Sequence, residues 1–452
     1  MQNISFKIII WYIVVIFVTR YYTKLMNNIA FTIVAKNYIG LAQVLQASIA
    51  LKSNAAFYIF VADEFSEAEL NTFNLPKNVL IAKSVLNINN NLWHSMAFKY
   101  NLVEFCTAIK PFCFEYFLNN EHADKIIFLD PDIYFFSSID SVFNMLDNVS
   151  IMLTPHIVTI ENVFSGDYPM HQFLFNGMFN LGFLGLRNTE VSIKILQWWT
   201  HRLIHECFFD SDHGLATDQK WMDFLPALMD SKDLLISKNI GLNMAPWNFY
   251  ERKLDNPNGN IQVSNRIVNE ATVCMPLVFV HFSSFNYNAL LKNNVEHKNV
   301  NFNVYSDLKI IFKIYGEAIK TSNFLKYINL GYSYNNFNNS KIISSLNRRL
   351  YRRYLQNNTY NLNPFETTEH SFYNKLAKNG LIEKGVLSSI HVTNKSIPNF
   401  KSKLAKVNWL FIIAKKIVGI KRYAILIRFL RRYFKEENQY FLLDKEDGKS
   451  FF

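Results

Sequence analysis

The feature that most constrains this chain is the rhythm of its first third, where apolar runs of strand length alternate with stretches of helical spacing. "AFTIVA" begins at Ala30, and Leu41, Val44, Leu45, Ala47, Ser48 and Leu51 then recur at helical intervals. "AFYIFVAD" (56–63) and "NVLIAKSV" (78–85) read as a second and a third strand. A long helical stretch from Leu102 to Leu118, interrupted by Pro111, leads into "KIIFLDPD" (125–132). Such alternation predicts an α/β fold with a mostly parallel sheet flanked by helices. In sheets of this kind ligands sit beyond the carboxyl ends of the strands. The polar residues at those ends are Lys36 and Asn37, then Asp63, then Asp130 and Asp132.

The later pattern is also strand and helix, with "FNLGFLGLR" (179–187) strand-like and Ser192 to His205 helical. "TDQKWMDFL" (217–225) predicts a helix with Thr217 placed to cap it. "LVFVHFSSF" (277–285) contains a late strand, with His281 directly after its apolar run. Beyond about residue 300 the spacing is mainly helical, with Asn-rich breaks near 334–340 and 356–363.

Charge is distributed unevenly. The net charge is +11, and residues 401–435 hold eleven Lys and Arg and no acid, which leaves 36 cations against 36 acids elsewhere. A neutral body argues against a nucleic-acid partner. In the tail the cations are interleaved with Leu404, Val407, Phe411, Val418, Leu426 and Leu430, with Trp409 and Tyr423 among them. That predicts a basic amphipathic helix able to lie on an anionic membrane surface, or a helix packed on the body or a partner. The four cysteines show no paired metal spacing and read as reduced, mostly buried thiols, which suits a cytoplasmic protein. The apolar run Ile8–Val18 is shorter than the ~20 residues a spanning helix needs. It reads as an upstream extension with Met26 opening the domain, and as an anchor in second place. The expected organisation is an extension at 1–25, a catalytic domain at 26–300, a helical extension at 301–400 and a basic tail at 401–452.

Asp130 and Asp132 are two residues apart, a spacing that points side chains to one side of a strand. Pro131 removes a ladder donor, so the strand is expected to end here and the acids to lie at the sheet rim. Paired carboxylates suit Mg²⁺ or Mn²⁺ bridging to substrate phosphates. Glycosyl transfer from a nucleotide sugar can use such a cation, because the departing diphosphate gathers negative charge. Taken alone, an Asp-x-Asp is more often a pair of surface acids in a turn. The apolar strand before it and the aromatic run Tyr134, Phe135 and Phe136 after it strengthen the metal reading. His281 would complete a mixed oxygen and nitrogen shell if its strand reaches the same rim, and is otherwise a half-buried residue at a strand end.

These segments together resemble GT-A-type glycosyltransferases, in particular the retaining family 8-like sugar transferases. "AFTIVAKNYIGLAQVLQASI" resembles the opening nucleotide-binding strand and helix, and "EFCTAIKPF" the helix before the metal motif. "KIIFLDPDIYFFSSID" resembles the strand with its DxD, and "FNLGFLGLRN" the Phe-Asn-x-Gly segment. "TDQKWMD" resembles the Asp-Gln motif and "VHFSSF" the late metal-binding histidine. The resemblance spans about residues 26–290. It implies that Asp130, Asp132 and His281 hold the metal, and that Ala35, Lys36, Asn37 and Asp63 lie near the nucleoside. It implies Lys110 near the donor phosphates or sugar, and Asn180, Gly182, Asp218 and Gln219 around the sugar, with Gln219 on the reacting face. Read locally, Lys110 is a solvated helix residue and Asp218 a first-turn acid complementing a helix dipole. One departure stands out: "HFSSFNYNALLK" lacks the Gly and the Lys-Pro-Trp-like stretch that touches phosphate in the family.

The expected cofactors are Mn²⁺ or Mg²⁺ and a nucleotide-diphospho-sugar, a UDP-sugar by resemblance. The expected partner is a glycan or glycolipid acceptor in bacterial surface polysaccharide synthesis, at the inner face of the cell membrane. A sugar-phosphate nucleotidyltransferase is the alternative, but "AKNYIGLAQ" lacks its Gly-rich basic loop. An aspartyl phosphatase would carry Thr or Ser where Tyr134 stands. A membrane-bound scaffold with a degenerate site is the non-enzymatic alternative. No role follows from sequence for "NMAPWNFYERKL" (243–254) beyond a wall of the donor or acceptor site.

Overall fold

The computed structural model describes residues 27–267, 274–357, 363–383 and 398–443. The apolar N-terminal run and part of the Asn-rich break at 356–363 lie outside them. Residues 27–87 and 103–332 form one compact unit; 88–102 and the described residues from 333 onward form another.

The first unit is built on a seven-stranded sheet. Its strands are β1 (Asn28–Val34), β2 (Ala56–Val61), β3 (Val79–Ile81), β4 (Lys125–Leu129), β6 (Ile151–Leu153), β7 (Phe183–Arg187) and β8 (Leu234–Ile236). The order across the sheet is β8-β6-β7-β4-β1-β2-β3. Only β7 runs against its neighbours β4 and β6; the other pairings are parallel. The fold is therefore the mostly parallel, helix-flanked sheet that the alternation predicts, and it is mixed through β7, as the resemblance implies. Strands β1 and β4 are apolar and buried almost throughout, as strands covered on both faces must be.

Aromatic packing seals one face. The Phe31 ring meets Phe60, Phe114, Phe117 and Phe128 at centroid distances of 5.0–5.8 Å. Each such pair contributes about 0.5–1.5 kcal/mol beyond the area it buries. On another side the helix Ile39–Ala50 packs close against the segment at Phe324, where a Cβ on Gly40 would lie 2.5 Å from the Phe324 Cα.

Several local expectations are corrected. The stretch 102–118 is two helices, Leu102–Ala108 and Lys110–Asn120, with Pro111 in the first turn of the second, where its missing N–H costs nothing. The third strand stops at Ile81 and turns into a short helix, Ala82–Val85. Thr217 caps nothing: it has φ +50°, and the segment after it is a 3₁₀ helix, Gln219–Phe224. The late strand β9 (Phe279–His281) does not join the large sheet but pairs antiparallel with the short strand β5 (Ile133–Phe135).

The second unit is helical. Arg348, on the helix Ser345–Asn357, is buried and donates to the carbonyls of Ala97, Phe98, Tyr100 and Tyr334. Phe98 packs among Phe337, Tyr351, Phe365 and Phe372. The helix Phe400–Tyr433 is interrupted at Gly419 (φ +77°) and has no buried residue.

Candidate metal centre

The site forms where β4 ends. Asp130, Pro131 and Asp132 are a turn between β4 and β5, not a continuation of the strand. The acids converge because the turn closes on itself, with Ile133 N donating to Asp130 O at 3.1 Å. Because β7 runs antiparallel, its beginning meets the end of β4: Leu129 pairs with Phe183, and Asp130 N donates to Gly182 O at 2.7 Å. The segment Asn180–Gly182 thereby reaches the same rim. The β5–β9 ladder brings the histidine: His281 is opposite Ile133, and Phe282 N donates to Asp132 O at 2.8 Å.

Three ligand atoms meet at this point, all within 4.8 Å of one another. His281 Nε2 lies 3.0 Å from Asp132 Oδ1 and 3.6 Å from Asp130 Oδ2. The imidazole is buried, while Asp132 and Asp130 keep 18% and 34% of their side-chain exposure, so the cluster opens towards solvent from the acid side. Burial first, and then the Asp132 and Asp218 charges, hold the Asp130 carboxyl above its ordinary range against the pull of His281 and Lys110. Burial alone would lower the His281 pKa; the Asp132 and Asp130 carboxylates outweigh it and raise it. Two carboxylates and an imidazole crowded this closely form a donor set that fits a divalent cation accepting oxygen and nitrogen ligands.

The remaining sequence candidates fall around this point in different states. Lys110 and Asp218, expected separately at phosphate and sugar, form a buried ion pair with each other. The Lys110 amine also donates to Leu181 O at 2.9 Å and lies 4.0 Å from the Phe128 ring centroid. Neither local reading holds: the lysine is not solvated and the aspartate is not a helix-dipole acid. Gln219 has its amide engaged by main chain, donating to Asn176 O at 2.9 Å and accepting from Leu181 N at 3.5 Å. Lys36, after β1, is buried and turned to Glu69 at 2.9 Å and to Glu64 O at 3.0 Å. Asp63 is fully buried and accepts from Glu64 N; Ala35 is buried, and the side-chain oxygen of half-buried Asn37 has no hydrogen-bond partner. An unmet buried acceptor costs about 1–3 kcal/mol, so a donor from a ligand would be favoured there.

Sequence reasoning missed two groups. Tyr38 and Tyr315 surround Asp132 electrostatically: burial first, and its charge second, hold both hydroxyls above their ordinary range. They come from distant parts of the chain, and no local pattern marks them. The segment 243–248 is the second group. Asn243 has φ +52°, a backbone state that Asn tolerates better than most residues. Its Nδ2 donates to Thr154 Oγ1 at 2.8 Å and to Asn180 Oδ1 at 3.1 Å. Asn248 clasps the turn, accepting from Ala245 N and donating to Asn243 O and His156 O. Trp247 meets the His281 ring edge to face at 5.2 Å.

No protein-family model matches the chain. It is 22% identical over 296 residues to YfnF, an uncharacterised protein of Bacillus subtilis (strain 168), covering 65% of this chain and 92% of that protein. It is 28% identical over 185 residues to YfnD, another uncharacterised protein of that strain, covering 40% of this chain and 54% of the other, about half its length. Among solved structures, the galactosyltransferase LgtC in complex with donor and acceptor sugar analogues aligns at 16% identity and TM-score 0.36, over 65% of this chain and 96% of that one. The glycosyltransferase GlyE of Streptococcus pneumoniae TIGR4 aligns at 12% identity and TM-score 0.36, over 69% of this chain and 66% of that one.

Proposed function

We propose that this protein is a metal-dependent glycosyltransferase of the GT-A type, moving a sugar from a nucleotide-diphosphate donor to a glycan or glycolipid acceptor. The observation that carries the reading is the convergence of Asp130, Asp132 and His281 at the carboxyl-end rim of a mostly parallel sheet. Asp130, Asp132 and His281 would hold Mn²⁺ or Mg²⁺, which supplies Lewis-acid stabilisation of a departing diphosphate. The first-strand segment Ala35–Asn37, with Asp63, forms the nucleoside wall, and the unmet Asn37 oxygen offers an acceptor to a base such as uracil. Lys110, held by Asp218, contributes positive field towards Asp130 from inside the protein. Gln219, oriented by Asn176 and Leu181, faces the sugar from the other side in this reading, with retention of configuration.

The test is a donor screen. Nucleotide-sugar hydrolysis or transfer should require Mn²⁺ or Mg²⁺ and stop with chelator. Activity that ignores chelator would remove the metal reading. Sugar-phosphate and nucleoside triphosphate consumed in place of a nucleotide sugar would favour the nucleotidyltransferase.

The acceptor reading includes a membrane. Among the described residues no helix is long and apolar enough to cross a bilayer. The helix Phe400–Tyr433 nevertheless exposes Leu404, Val407, Trp409, Leu410, Ile417 and Ile425 among its cations. A second copy of the same helix is a poor match, because no acid in 401–435 answers those cations. An anionic lipid surface at the inner face of the cell membrane answers both, at roughly 1 kcal/mol per cation. Sedimentation with phosphatidylglycerol vesicles but not phosphatidylcholine vesicles, weakening with salt, is the expected result. Equal partition to both would point to apolar docking instead.

A further inference from the structure

We infer that Asn180 is a positioning residue that fixes the ring of His281 with a proton on Nδ1, which reserves Nε2 for the cation. The inference extends the metal reading above, but its central step does not depend on a metal. It starts from the one donor whose identity leaves no choice. The backbone N–H of Gly182 lies 3.2 Å from one side-chain atom of Asn180 and can only donate, so that atom is the oxygen, Oδ1. The same oxygen receives Asn243 Nδ2 at 3.1 Å and faces His281 Nδ1 at 3.1 Å. An amide oxygen only accepts, so Nδ1 carries a hydrogen and donates it. Nε2, 3.0 Å from Asp132 Oδ1, is then the ring nitrogen left to bind a cation once its own proton is displaced.

Asp132 Oδ1, 3.0 Å from Nε2, competes for the single proton of a neutral ring, and the packing around Nδ1 holds the ring on the Asn180 side. A Cβ on Gly182 would lie 2.7 Å from His281 Nδ1, so only glycine leaves the ring its place. The His281 main chain donates to Met244 O at 2.8 Å, and Trp247 closes the ring's flank. The segment 243–248, for which the sequence offered only a wall of the ligand site, is the cradle of one oriented imidazole. Asn180 also changes role. With two lone pairs already meeting three donors, its oxygen has no capacity left for a sugar hydroxyl.

The experiment uses the full chain labelled with ¹⁵N-histidine, without metal, at alkaline pH where the ring is neutral. His281→Gln assigns the signal. Wild type should show the proton on Nδ1; Asn180→Leu should lose that preference; Asn180→Asp, which keeps an accepting oxygen, should restore it. A wild-type proton on Nε2, or a ring signal indifferent to Asn180→Leu, overturns the inference. The wild-type spectrum decides even if Asn180→Leu does not fold. Mn²⁺ titration run alongside should weaken by about 10–100-fold in Asn180→Leu and recover in Asn180→Asp, the scale on which outer partners of metal ligands act. A wild type with the proton on Nδ1 that binds no Mn²⁺ would sink the metal reading and leave the positioning role standing. A wild type that binds Mn²⁺ with the proton on Nε2 would do the reverse.

Discussion

Asp132 and Asp218 lie in the same unit, each against a nitrogen base, and they could hardly be used more differently. Asp218 is sealed, with 3% of its side chain exposed, and its partner Lys110 is closed in by Leu181 O and the Phe128 ring. Asp132 and Asp130 remain partly open, and the group facing them is a single imidazole with room for its proton to be replaced. A buried pair that satisfies itself compensates its own two charges inside the fold. A crowd of two carboxylates on one side and one nitrogen on the other, left open, is arranged for a third party. The two clusters still communicate: the Lys110 charge pulls the Asp130 carboxyl down while the Asp218 charge pushes it up.

The largest effect is expected at the open cluster: Asp132→Asn should reduce sugar transfer by about 10³-fold, a loss of roughly 4 kcal/mol of charge stabilisation. Its thermal unfolding should stay close to wild type. A variant that keeps its activity, or one that loses activity only by unfolding, would mean that the open cluster is structural after all.

The sealed pair should behave in the opposite way. Lys110→Met leaves Asp218 buried without its partner and should cost about 3–5 kcal/mol in urea unfolding. Adding Asp218→Asn should recover much of that loss. A cost below about 1 kcal/mol would place the pair with exposed ion pairs.

His156, which meets Trp247 edge to face at 5.4 Å and Phe173 of the helix Met170–Asn176 at a tilt at 5.7 Å, adds a pH axis. Burial, opposed only in part by the Met178 and Gly177 main chain and the Asp223 charge, pushes its pKa down to about 4. The unfolded chain takes up this proton near pH ~6.5 and the native one only well below, so stability is untouched above that value and falls as pH drops. The loss reaches at most about 3 kcal/mol near pH ~4. His156→Gln should flatten the acid limb of unfolding midpoint against pH. An unchanged limb would show that His156 is reached by water in the native state.

The smallest effect sharpens the open cluster alone. Gly182→Ala should displace the His281 ring at a cost of about 1–3 kcal/mol of overpacking, with weaker Mn²⁺ binding. Full Mn²⁺ affinity in this variant would mean that the ring has freedom to move aside.

Legibility followed the range of the interaction. The strand rhythm, the break at Pro131 and the paired acids are local, and all could be read along the chain. Even there the reason differed: the acids converge through a turn, not along a strand face. The apolar run before it and then the resemblance singled out His281, but it reaches the acids through the small β5–β9 ladder and not through the main sheet. Lys110 and Asp218 were both candidates, yet nothing in their separate surroundings told that each is the other's partner. The 243–248 segment was visible only as a wall of the donor or acceptor site without assigned roles, because its partners Thr154, Asn180 and His281 all lie elsewhere in the chain.

What the sequence determined by itself was periodicity and chemistry: which stretches become strands, where the strand must stop, and which residues have the hard ligands a cation asks for. What the tertiary structure decided was pairing. Hydrogen bonds and ion pairs are short-ranged and directional, so whether an aspartate is sealed by a lysine or left facing a histidine depends on neighbours that only folding brings within reach.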